Sequence, residues 1–206
     1  MTSPANPTRK GRWLRRMVRG GIVAVVALTG TSVWSHFHYQ PPPPVPPEAF
    51  GNRYAPRELR ADLDYFVRTA EQIHPDLYHV VSKEDVSALK RELQRQIDRP
   101  LTRKEFFPIA ARLAASLGDG HTVVFIPSEE IEDAIQSGAQ WFPFDVGDLN
   151  EDGLTVKAVY AEKCPVAVND TIVSIHGHDA RSLYDEFYQW HSGEKEFYRK
   201  GRTLRT

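Results

Sequence analysis

At Gly118 the hydrophobic period of this chain changes, and nothing else in the sequence limits its fold as strongly. Before that point apolar residues recur at helical spacing: Leu59, Leu63, Phe66, Val67, Ala70 and Ile73, then Val86, Leu89, Leu93 and Ile97, then Phe106, Ile109, Ala110, Leu113 and Leu117. Pro75 stops the first of these helices. Ser82 with Asp85, and Thr102 with Glu105, have the spacing of N-terminal capping pairs for the other two. Gly118 suits the C-terminal cap of the third helix, and Pro108 should delete one backbone bond inside it and bend it. After Gly120 the pattern shortens. "HTVVFI" reads as a strand, Ser128 to Ser137 as a short acidic helix or turn, and "WFPFDVGDL" and "LTVKAVYA" as two strands joined at Asn150–Gly153. "DTIVSIHG" reads as a third strand ending in a turn, after which Leu183, Phe187 and Trp190 resume helical spacing. Helices grouped first and strands grouped after, instead of alternating, predict an α+β body.

The charge distribution separates the first residues from that body. Arg9, Lys10, Arg12, Arg15, Arg16 and Arg19 precede any acidic residue, whereas the rest of the chain is net acidic. A basic head on an acidic body points to membrane targeting more than to nucleic acid, and the body has no basic stripe for nucleic-acid binding. Residues 20–38 carry no Asp, Glu, Lys or Arg. As a helix, Gly20 to Phe37 would rise roughly 27 Å, close to the thickness of a bilayer core. With all flanking positive charge on the N-terminal side, the expectation is a basic cytoplasmic head at 1–19 and a single-pass transmembrane anchor at 20–38. The body then faces the periplasm or the outside of the cell membrane. A cleaved signal peptide is the rival reading; the small residues around Thr29–Ser32 make a poor cleavage site. "PPPPVPP" within a linker at 39–54 predicts an extended polyproline spacer. The single Cys164 excludes an internal disulfide and a cysteine zinc site.

Within the body, "IHPDLYHVVSKEDVSALKRELQ" and "LTRKEFFPIAARLAASLGDGHT" together resemble the opening of the tail-specific (C-terminal processing) serine peptidases. The likeness is to the branch with the tricorn core and the interphotoreceptor retinoid-binding modules. Its landmarks are His74-Pro75 with Leu77-Tyr78, the helix running into Gly118, and Asp119-Gly120-His121-Thr122. "CPVAVNDTIVSIHGHDARSL" resembles the part of a PDZ-like module where that family has a G-D-x-I-x-x-I-N-G stretch. Asn169 stands at the glycine and His176 at the asparagine. "HSGEKEFYR" is similar to the helix that follows. The resemblance covers roughly residues 55–200. It implies a helical N-terminal part of a peptidase domain at 55–127 and a PDZ-like β-rich module with a C-terminal helix at 128–206. It also implies a catalytic role for His121, as the general base for a serine nucleophile. Imidazole titrates near neutrality and can take a serine proton. The alternative for His121 is a half-buried histidine bonded to backbone. Asp119 could orient His121, but Asp before Gly more often binds the amides of its own turn.

The family places its nucleophile beyond the PDZ-like module, and this chain reaches only Thr206. The expectation is therefore a truncated, membrane-anchored peptidase-family protein, inactive alone because it holds a base without a nucleophile. Ser116 and Ser128 read as helix-end residues. Substrates would be peptides or unfolded proteins, and a complementing peptidase fragment or a second copy is a further partner. The alternatives are a non-catalytic peptide-binding protein of the cell envelope and a gene remnant. No cofactor or metal is expected: His176 and His178 could share a strand face, but only Asp179 offers a third ligand. His74 and His79 flank a turn and read as caps. Trp141, Phe142 and Phe144 read as strand core more readily than as a peptide groove.

Overall fold

The computed structural model describes residues 43–205, nearly all within one compact unit, Val45–Thr206. Pro46 has polyproline-like dihedrals and leads into a short 3-10 turn, Pro47–Ala49. Helix α1, Pro56–Ile73, starts with proline at its first position, and the Glu58 carboxylate accepts the Ala55 N–H. It buries Leu59, Leu63 and Ala70, and ends at His74, which is extended as a residue before proline prefers to be. Helix α2, Lys83–Gln96, is capped by Ser82, whose hydroxyl accepts the Asp85 N–H. Helix α3, Arg103–Ala115, has the full reciprocal capping box of Thr102 and Glu105, and runs on through Pro108. The three pack around one core that includes Leu63, Leu77, Val86, Leu93, Ile97, Leu113 and Leu117. Each such leucine, when fully buried, contributes about 1.5–3 kcal/mol. An antiparallel bridge between Tyr54 and Leu101 closes this part.

Helix α4, Ser128–Gln136, leads to strands β1, Phe144–Leu149, and β2, Leu154–Val159. Asn150 Oδ1 accepts the N–H groups of Asp152 and Gly153, which makes the turn between these strands. The expected third strand is divided. Strand β3, Thr171–Ile172, joins β2 in the order β1-β2-β3, whereas β4, Ser174–Ile175, pairs with β5, His178–Asp179. Between β4 and β5, His176 (φ 50°) and Gly177 (φ 81°) both turn left-handed, as a two-residue hairpin with a primed turn requires. Helix α5, Ala180–Tyr188, is capped by Asp179, and helix α6, Glu196–Thr203, follows. A second core joins Leu154, Ala180 and Tyr184 with Val146, Leu149, Ile172, Tyr188 and Leu204.

Among the described residues the architecture is α+β, with six α-helices and small antiparallel sheets. Three expectations are corrected. The fold class expected from sequence included an N-terminal membrane helix; among the described residues no helix is long and apolar enough to cross a membrane. The reason is compositional. Helix α1 is long enough, but Arg57, Glu58, Arg60, Asp62, Asp64, Arg68 and Glu71 charge it along its length. The expected span at 20–38 lies outside the described residues. The single-pass cell-membrane localisation rested on that span, and it is corrected with it. Lastly, residues 121–127 form no strand, and Phe125 is 83% exposed. β-Branched composition favours extension, but a strand needs a neighbour for its hydrogen bonds, and no described strand pairs with this segment.

Candidate functional site

The turn that ends the helical half is built around one carboxylate. Gly118 adopts φ +73°, and a Cβ there would come within 2.7 Å of Val80 Cγ1, so only glycine fits without a shift. Asp119 follows, 6% exposed. Its Oδ1 accepts the His121 N–H at 3.0 Å, and its Oδ2 accepts the Thr122 hydroxyl at 2.5 Å. The Thr122 N–H returns to the Asp119 carbonyl at 3.3 Å, completing the turn. Burial raises the affinity of the Asp119 carboxyl for its proton. The hydrogen bonds from the Thr122 hydroxyl and the His121 amide and the proximity of the His121 ring outweigh it, holding the carboxyl down at about 2.

The same carboxylate lies between two imidazoles. His121 Nδ1 is 3.4 Å from Asp119 Oδ1, and His74 Nε2 is 3.5 Å from Oδ2. The His121 side chain is 97% exposed. With Nδ1 turned to the carboxylate, its Nε2 is left outward. Asp119 thus serves the turn's own amide and hydroxyl and also faces the ring. A mainly apolar cleft of about 510 Å³ opens beside it, lined by Tyr65, Thr69 and Ile73 of α1 together with His74, Asp119 and His121.

Helix α6 and the loop before it hold this turn from behind. Ser192, buried, donates its hydroxyl to the Asp119 carbonyl at 2.6 Å. Arg202 donates to the carbonyls of Gly120 and Ser192. The sequence offered no sign of the bonds to Asp119 and Gly120, which span more than seventy residues. A hint of the His74 contact lay in the joint presence of His74-Pro75 and Asp119–Thr122 among the landmarks of the resemblance.

The remaining candidates lie elsewhere. The Ser116 hydroxyl donates to the Leu113 carbonyl, and Ser128 is the first residue of α4. Among the described residues, no hydroxyl or thiol is hydrogen-bonded to the His121 ring. His79 Nδ1 meets the Asp76 carbonyl at 2.8 Å, so His74 and His79 do hold the turn between them. His176 occupies the hairpin turn, and Asp179 accepts from the Ser182 N–H and hydroxyl. Among the described residues no group of three or more His, Cys, Asp or Glu is placed to hold a metal ion. Trp141 and Phe142 precede β1 and are more than half exposed, contrary to a core role. With Phe144, Tyr184 and Phe187 they line a groove of about 260 Å³ between the sheet and α5.

Comparison of the chain with protein-family models, with curated proteins and with solved structures finds no match in any of the three.

Proposed function

We propose that this protein is of the serine-peptidase type and holds the base half of such a site, with His121 as general base and Asp119 as the carboxylate that orients it, toward peptide or unfolded protein bound beside the α1 cleft; alone it is inactive as a peptidase. The observation that carries the reading is the pair itself. An exposed imidazole has its Nδ1 against a buried, ionised carboxylate and its Nε2 outward, which is the arrangement a base needs in order to take a proton from a nucleophile. The resemblance gains support from two departures. Asn169 (φ 76°) and His176 (φ 50°) replace the family's glycine and asparagine, and both are left-handed, the conformation those residue types tolerate best.

Peptide hydrolysis also requires a nucleophile in reach of the base and donors for the oxyanion. Among the described residues no serine meets the His121 ring, so the chain alone is expected neither to cleave peptides nor to be labelled by a fluorophosphonate probe. An oriented imidazole still assists water as a general base in hydrolysis of an activated alkyl ester such as ethyl dichloroacetate, with an effect of about 10²–10⁴-fold. That activity is expected to disappear in His121→Ala. A rate unchanged in His121→Ala would overturn the base assignment; stoichiometric labelling of one serine would overturn the half-site.

A second reading rests on the groove lined by Trp141, Phe142, Phe144, Tyr184 and Phe187. Strand β1 pairs only with β2 among the described residues, leaving an edge to which an extended peptide can add as a strand, with apolar side chains in the groove. Saturable quenching of Trp141 fluorescence by an apolar-ended peptide, lost in Phe142→Ala, distinguishes this non-catalytic role.

A further inference from the structure

We propose that His74 is a positioning residue of this site: acting through Asp119, it selects the His121 tautomer whose Nε2 is free to accept a proton. The proposal rests on the reading of His121 as a base.

The N–H of Asp76 points at His74 Nδ1, 3.1 Å away, so that nitrogen accepts and the proton of the neutral ring sits on Nε2. His74 Nε2–H then faces Asp119 Oδ2 at 3.5 Å. The residue is held in place: its backbone N–H caps the end of α1 at the Ala70 carbonyl, Pro75 fixes the next residue, and the parallel ring of His79 lies 6.1 Å from the His74 ring. His79 is itself anchored to the Asp76 carbonyl. The carboxylate thus accepts the Thr122 hydroxyl on Oδ2 and the His121 amide on Oδ1, with the His74 ring as a longer contact on the Oδ2 side. With Oδ2 occupied, the carboxylate plane is set and Oδ1 is presented to His121 Nδ1 at 3.4 Å. That contact is long and the His121 ring is exposed, so its preference depends on how firmly Oδ1 is held there. Removal of His74 leaves Oδ2 with the Thr122 hydroxyl alone and lets the carboxylate turn toward solvent. His74 touches neither nucleophile nor substrate in this account. Its effect is confined to which His121 nitrogen carries the proton.

Ring-nitrogen NMR on ¹⁵N-histidine-labelled full-length protein tests this directly. Spectra are recorded near pH 9, where an ordinary histidine is neutral. His74 is expected as the Nε2–H tautomer and His121 mainly as Nδ1–H. In His74→Phe the Nδ1–H to Nε2–H ratio of His121 is expected to fall about fivefold, the scale of one exchanged hydrogen bond. In His74→Gln, whose side-chain amide still donates, the ratio is expected to stay within about twofold. Backbone amide dispersion reports whether each variant is folded; a purely structural role would alter that dispersion without selecting a tautomer. His121 found mainly as Nε2–H in the unaltered protein, or a ratio unmoved in a folded His74→Phe, overturns the proposal, and the first of these needs no variant. Ester hydrolysis separately judges whether His121 is a base, so the positioning claim and the base claim can fail independently.

Discussion

Asp119→Asn is the perturbation that most directly measures what the turn contributes. Asparagine has nearly the same shape but carries no charge, so the Thr122 hydroxyl and the His121 amide lose an ionised acceptor while packing is kept. Asp119 is almost fully buried, and its carboxyl is held down from an ordinary 3.8 to about 2. That depression corresponds to about 2 kcal/mol of folding stability near neutral pH. Because the folded-state value is the lower one, this stability is fully present above the unfolded-state value. It is lost as pH falls from about 4 through about 2. Urea unfolding of both proteins across pH 7 to 2.5 is the assay, read as the difference between them. Glu105 is also held down to about 2, chiefly by the Thr102 N–H, but it is common to both proteins and cancels. The expected result is a gap of about 2 kcal/mol that is level above pH 4 and narrows below it. A gap below about 0.5 kcal/mol, or one that does not change with pH, would refute the view that an ionised Asp119 organises the turn.

Two further substitutions test how the turn is held. Gly118→Ala forces a side chain into a left-handed residue and against Val80, and should cost about 2 kcal/mol in urea unfolding. Adding Val80→Ala should recover the steric part and leave the backbone strain; no recovery would place the whole cost in the dihedral. Ser192→Ala removes the buried donor to the Asp119 carbonyl and should cost about 1–2 kcal/mol. Faster amide hydrogen exchange at Asp119–Thr122 is expected with it, and unchanged exchange there would show that the loop before α6 does not support the site.

The local elements were legible in the sequence because their causes lie within a few residues of one another. Ser82 and Thr102 cap the helices they precede, Pro75 ends α1, and Asn150 closes its turn, each through groups no more than four residues apart. His121 was singled out because the resemblance placed a base there. What surrounds it was decided by tertiary structure. The His74–Asp119 contact joins the end of α1 to a turn beyond two further helices, and the Ser192 bond crosses 73 residues; no periodicity encodes such pairs. The β-branched run after His121 and the divided "DTIVSIHG" segment show the same limit from the other side. Side-chain composition sets a preference for extended backbone, but a strand exists only where another lies alongside to exchange hydrogen bonds, and here β2 and β5 took Thr171–Ile172 and Ser174–Ile175 while nothing described took residues 121–127.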